Sequence, residues 1–178
     1  MIKLKLYHPP FMLDPILIDT ATFTREQQQL SGQLQLQALD RRVWSHELLA
    51  QRDGVIQYKV SGGIDRWQRP FIDISIEGEL KLVCQRCLQA VSWTLNDQSR
   101  VVLFASEQLL DEAMAADETL EGMVWSAEYN LTALLEDQIL MAIPVAPRHE
   151  DCDHTLATKT NQDAGNPFAK LAGLKSGH

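Results

Sequence analysis

The sequence predicts an α+β fold: an antiparallel β-sheet with a long hairpin tipped by C-x-x-C, covered by one main helix plus short helices. Three observations predict it. Ile72, Ile74, Ile76, Leu80, Leu82 and Cys84 all carry even numbers with Gly78 the one gap, while Val91, Trp93, Leu95, Val101 and Leu103 all carry odd ones. Each run has the period of two that makes one face of a strand apolar. Cys84-Gln85-Arg86-Cys87 lies between the runs, so the strands meet at a turn containing Gln85 and Arg86. Leu131, Leu134, Leu135, Ile139, Ala142 and Ile143 then line one face of a helix that Asn130 opens and Pro144 stops. That face predicts a cover for the sheet.

The remaining elements follow in chain order. Residues 1–10 interleave lysines with apolar residues and reach Pro9-Pro10 before any long apolar stretch forms, which is neither a signal peptide nor a membrane anchor. Thr24-Arg25-Glu26-Gln27 fits a capping box and predicts a short helix over 24–31, ended near Gly32. Leu34, Leu36 and Ala38 alternate with glutamines as a half-exposed strand does, and residues 41–52 read as a strand more readily than as a helix. Val55 to Val60 is a further strand, after which Ser61-Gly62-Gly63 offers freedom for a bulge or bend. Ser106 can cap a helix carrying Leu109, Leu110, Ala113 and Met114, whose acid load makes it a surface element. Arg148 to Gly165 is polar and without apolar period, and Asn166-Pro167 starts a terminal helix with Phe168, Leu171 and Leu174. The expected organisation is a single domain over 1–147 and a polar tail with a short terminal helix over 148–178.

Charge is unevenly spread. The net charge of 178 residues is −8, yet residues 1–104 hold twelve basic against eleven acidic side chains, whereas 105–140 hold nine acids and no base. A near-neutral body leaves room for a local basic patch, and the acidic segment could repel RNA or meet a basic protein. The most apolar late run, Ile139 to Ala146, contains Pro144 and is far short of the roughly 20 residues that span a bilayer. Three cysteines in a chain with no export signal argue against a disulfide framework. A cytoplasmic protein with no membrane partner and no small-molecule substrate is expected.

Zinc takes four tetrahedral donors, and two thiolates at C-x-x-C can supply half of them. His149-Glu150-Asp151-Cys152 is the only complement, with His154 a spare, so Cys84, Cys87, His149 and Cys152 are a coherent alternative set. The reading adopted is two reduced cysteines at a hairpin tip with no resident cofactor. A redox dithiol would need a helix N-terminus, and strand pattern flanks both cysteines. The common phosphate-binding, dinucleotide, metalloprotease and hydrolase motifs are absent from the sequence. Glu136-Asp137 reads as a solvated helix face rather than an acid–base pair, because neighbours on a helix point about 100° apart. No catalytic residue is assigned. Candidate RNA contacts are Lys81 and Arg86 near the hairpin tip, with Arg66, Trp67 and Arg69 in the loop before the long strand. Exposed arginines around a core-packed Trp67 would explain the same letters, and Trp44, Trp93 and Trp125 read as core or rim packing.

Three stretches resemble the YceD family, the large ribosomal RNA subunit accumulation proteins. They are Cys84-Gln85-Arg86-Cys87 after an alternating strand, Leu134-Leu135-Glu136-Asp137-Gln138-Ile139-Leu140 running into Ile143-Pro144-Val145-Ala146-Pro147-Arg148-His149, and Asn166-Pro167-Phe168-Ala169-Lys170-Leu171 ahead of Leu174-Lys175. The resemblance covers residues from about 55 to the end. It implies a cytoplasmic bacterial factor needed for synthesis, processing or stability of large-subunit (23S) ribosomal RNA, and no defined reaction. Some members carry further cysteines after the long helix, where this chain has only Cys152 and two histidines. The expected function is a non-enzymatic ribosome-biogenesis factor whose partner is ribosomal RNA or a basic ribosomal or assembly protein. A zinc-binding or thiol-dependent enzyme is the alternative.

Overall fold

The structure, a computed structural model, describes residues 15–152. The start of the chain, the terminal helix expected from Asn166 and the spare His154 lie outside the described residues. The order of elements is β1 (Leu17–Ile18), α1 (Thr20–Arg25), β2 (Gln29–Gln35), α2 (Arg41–Trp44), β3 (Val55–Ile64), β4 (Pro70–Val83), β5 (Ala90–Phe104), α3 (Glu107–Ala116), β6 (Glu121–Val124), β7 (Tyr129–Asn130) and α4 (Leu131–Ala142). A single 3₁₀ turn, Leu36–Ala38, joins β2 to α2.

Five strands form the main sheet in the order β2-β3-β4-β5-β6. The first four are antiparallel, and the register runs unbroken from Phe71↔Val102 to Val83↔Ala90 between the two long strands. Alternation does what the sequence predicts. Ile72, Ile74, Ile76, Leu80 and Leu82 of β4 and Leu95, Val101 and Leu103 of β5 are buried on one face with Ile56 and Val60 of β3 and Leu34 of β2. Phe23 of α1 and Leu131, Leu135 and Ile139 of α4 close that core from above. The other face carries Gln33, Gln57, Lys59, Asp73, Ser75, Glu77, Ser92, Thr94, Asn96, Gln98 and Arg100, a polar field with bidentate Arg100–Asp73 pairing at 2.6 and 2.8 Å.

One edge departs from the antiparallel expectation. β6 runs parallel to β5, with Val101↔Glu121 to Phe104↔Val124 in register. Parallel neighbours need a crossover, and α3 is that crossover. Its Ser106 side chain accepts from Leu109 N–H at the N-terminus, and none of its residues is buried. The helix sits close because position 122 is glycine: a Cβ there would come within 2.6 Å of Leu110 Cδ1.

Four local expectations are corrected. The first helix is Thr20–Arg25 rather than 24–31, because Asp19 caps it, accepting from Ala21 and Thr22 N–H. Thr24 is spent inside the helix, bonding back to the Thr20 carbonyl at 2.9 Å, and Gln27 takes φ 51°, which ends it. The strand over 34–38 begins earlier and stops at Gln35, where the chain turns into the 3₁₀ segment. Residues 41–52 hold the short helix α2 capped by Asp40, with only Leu49 bridged to β4 at Leu82. Gly62 and Gly63 make no bulge, since β3 stays in register with β4 from Ile56 to Ile64. They serve close approach instead: a Cβ at Gly62 would lie 2.5 Å from the Phe23 carbonyl oxygen, and one at Gly63 2.5 Å from the Phe71 ring.

The start of α4 is tied to the N-terminal strand. β1 pairs with β7, Leu131 N–H donates to the Ile16 carbonyl at 2.8 Å, and Ile16 N–H donates to Thr132 Oγ1 at 3.0 Å. Asn130 caps the helix through Ala133 N–H, and Ile143 ends it ahead of Pro144. These bonds aim the C-terminal end of α4, and the strap that follows it, at the turn between β4 and β5. No helix among the described residues is long and apolar enough to cross a membrane.

Candidate functional site

Residues 84–89 link β4 to β5. Cys84 N–H donates to the Gln89 carbonyl and Leu88 N–H to the Cys84 carbonyl, both at 2.9 Å, with Leu88 held at φ 61°. The strap after α4 is bound to this turn by its backbone, because Gln85 N–H donates to the Pro147 carbonyl at 2.9 Å. That contact brings His149 and Cys152 to the cysteines. Cys84 Sγ lies 3.7 Å from Cys152 Sγ, and Cys87 Sγ lies 3.5 Å from His149 Nδ1. The donor atoms of all four residues fall within 4.8 Å of one another. Cys84 and Cys152 are buried, Cys87 and His149 half-buried, and all three cysteines are free thiols.

Electrostatics distinguish the sulfurs. Burial opposes ionisation of Cys84, but backbone N–H groups of Cys87, Arg86 and His149 outweigh it and lower its pKa to about 5. Cys152 is pushed up to about 11, by burial first and then by its neighbours Cys87 and Cys84. His149 Nε2 lies 3.1 Å from the Ala90 carbonyl oxygen. A carbonyl only accepts, so Nε2 is the donor in this contact and Nδ1 is the ring nitrogen that faces Cys87.

The RNA candidates do not gather. Arg66, Trp67 and Arg69 sit in the β3–β4 loop, while Lys81 and Arg86 sit at the far end of β4. A strand of this length separates them by on the order of 40 Å. Trp67 is not in the core: it is 60% exposed, with the Arg66 guanidinium 3.9 Å and that of Arg69 4.7 Å from its ring centroid. Asp65 builds this loop, accepting from Trp67 and Arg69 N–H and from Arg69 Nε, all at 2.8 Å. Lys81 Nζ is engaged by Glu79 Oε1 and Ser92 Oγ, both at 2.6 Å, and Arg86 is exposed on the turn. Trp44 and Trp93 are half-buried, and Trp125 is 47% exposed.

Sequence reasoning missed two functional-looking groups. Asp65 could have been found, since an aspartate two residues before Trp67 is the signature of an Asx-turn. Glu136 could not: it is buried rather than solvated, because α2 packs over it and donates Asp40 N–H to its Oε1 at 2.7 Å. No solved structure matches the chain. The family model for large ribosomal RNA subunit accumulation protein YceD matches residues 72–175. That span takes in β4 from Ile72 onward, the turn, α4 and the strap, hence all four donors, and leaves the Trp67 loop outside. It covers more than half of the 178 residues, and the chain belongs to the YceD family.

Proposed function

We propose that this protein promotes accumulation of large-subunit (23S) ribosomal RNA in the bacterial cytoplasm by binding RNA, without a reaction of its own. The observation that carries the reading is Trp67, a large aromatic held 60% exposed with two guanidinium groups near its ring. An exposed indole beside cations suits base stacking with phosphate contact. Arg86, exposed on the turn at the other end of β4, provides a second contact point, so the long sheet can bridge separate RNA segments.

A second reading has its own observation. Glu107, Asp111, Glu112, Asp117, Glu118 and Glu121 crowd α3 and β6 with no base among them, beside Leu109 and Met114 at 49% and 45% exposure. That surface suits a basic ribosomal or assembly protein.

Titration of large-subunit ribosomal RNA with the full chain at several salt concentrations separates the two. Direct phosphate contact makes affinity fall steeply with salt. Trp67→Ala and Arg86→Ala are each expected to weaken binding, and the double variant more than either. A weak response independent of salt, unchanged in both variants, would overturn RNA contact and leave the acidic face as the working surface.

A further inference from the structure

We infer that Cys84, Cys87, His149 and Cys152 bind a single zinc ion in a closed structural site, which clasps the strap after α4 to the β4–β5 turn. The inference stands apart from the RNA reading. Its first support is metric. With Zn–S near 2.3 Å and Zn–N near 2.0–2.1 Å, a tetrahedron has S···S edges of about 3.8 Å and S···N edges of about 3.6 Å. The chain holds Cys84 and Cys152 sulfurs at 3.7 Å and the Cys87 sulfur and His149 Nδ1 at 3.5 Å. A disulfide would need sulfurs near 2.05 Å.

The surroundings fit the same ion. The Nε2···Ala90 carbonyl contact of 3.1 Å leaves Nδ1 as the free donor, the outer contact that orients a ligating imidazole. Backbone N–H groups of Cys87 and Arg86 hydrogen-bond the Cys84 sulfur, an outer contact that suits a metal-bound thiolate. Three sulfurs and one imidazole are soft donors that favour zinc over magnesium or calcium. Glu150 and Asp151 lie between the two strap donors in sequence, yet both are exposed and neither belongs to the converging group. Four protein donors fill a tetrahedron and leave no position for substrate or water, which makes the site structural.

The consequence is mechanical. The contacts join positions 68 and 62 residues apart, so the ion closes a long loop at the end of the sheet. Without it the strap is held to the turn chiefly by the Gln85–Pro147 and His149–Ala90 contacts. Metal occupancy therefore sets how firmly residues 147–152 are held against the turn.

Metal analysis of the full chain purified under reducing conditions with zinc supplied tests this. Stoichiometric zinc is expected, and cobalt(II) exchanged into the wild type should give the intense absorption of a tetrahedral thiolate site. Chelation should release the strap, read as new tryptic cleavage after Arg148. Cys152→Ser and His149→Ala should each lose stoichiometric metal while Glu150→Gln keeps it. If a variant fails to fold, the cobalt spectrum and the chelation experiment on the wild type still decide. Zinc-free protein whose thiols alkylate equally fast with and without added zinc overturns the assignment, as does full zinc retention in both ligand variants.

Discussion

Glu136, in the middle of α4, reaches across to α2 and accepts a 2.7 Å hydrogen bond from the backbone N–H of Asp40, the residue that caps α2. Arg42 completes the junction, with Nη1 2.9 Å from Asp137 and Nη2 3.7 Å from Glu136. The two carboxylates divide the entry to α2 between them: the Asp40 side chain accepts from Arg42 N–H inside the helix, and the buried Glu136 satisfies the N–H of Asp40 itself.

Burial raises the pKa of Glu136 above the ordinary glutamate value, against the Asp40 N–H and Arg42, which lower it. A carboxyl that holds its proton more tightly when folded contributes stability that is fully present below the unfolded value and is lost as pH rises through the folded one. Glu136→Gln keeps an acceptor for Asp40 and removes the charge. It is expected to match or exceed the wild type in denaturant midpoint at neutral pH and to lack that decline. Glu136→Ala leaves the Asp40 N–H without its partner and should cost about 1–3 kcal/mol. A wild-type midpoint that rises steadily through this window, with Glu136→Gln below it, would sink the assignment.

Gly62→Ala tests the seat of α1 on the sheet. The added methyl would meet backbone, the Phe23 carbonyl oxygen at 2.5 Å and Thr24 Cα at 2.8 Å, so no side chain can swing away to make room. The expected loss is about 1–3 kcal/mol from overpacking, measured by thermal or urea unfolding. Gly32→Ala is the comparison, because its methyl meets only the Tyr58 side chain. Equal effects would remove the argument for backbone contact.

How much of this was legible in sequence depends on the range of the contact. The out-of-phase apolar numbering of 72–84 and 91–103 carried the two longest strands, because side chains alternate whatever lies above the sheet. Asn130 and Pro144 bounded α4 by local chemistry alone. Local signals failed where a distant partner decided. α2 is four residues long, with its N-terminus completed by a glutamate 96 positions away, and the parallel pairing of β6 rests on how α3 crosses the sheet. The donor set sits between these cases. C-x-x-C and H-x-x-C were visible as spacings, but their meeting depends on the aim of α4 and on the Gln85–Pro147 bond.

Asp65 governs whether Trp67 is presented at all. Burial raises its pKa, but the Arg69 backbone and side chain and the Trp67 N–H outweigh that and hold the carboxyl below the usual aspartate value. The loop's support is therefore present above the ordinary aspartate range and fades as pH falls through the depressed value. Asp65→Ala should loosen the loop at all pH values, seen as altered Trp67 fluorescence and faster amide exchange over 65–69. Its RNA affinity should fall as far as that of Trp67→Ala. An ordered loop in Asp65→Ala would show that the turn holds without its carboxylate.

The polar seam under α4 yields the last expectation. Gln138 donates through Nε2 to Asp97 and accepts from Ser99 Oγ at 2.8 Å, both on the covered face of β5. Elsewhere that face is apolar, and the three half-buried side chains satisfy one another. Gln138→Leu keeps bulk but strips both partners, and stranding them should cost about 1–3 kcal/mol. Adding Asp97→Leu and Ser99→Ala removes the stranded groups as well, so stability should recover towards the wild type, since replacing every member by apolar groups of similar shape can be nearly neutral. Urea unfolding of the single and triple variants measures this. Losses that simply add would mean that Gln138 acts through packing alone and that the seam is not a unit.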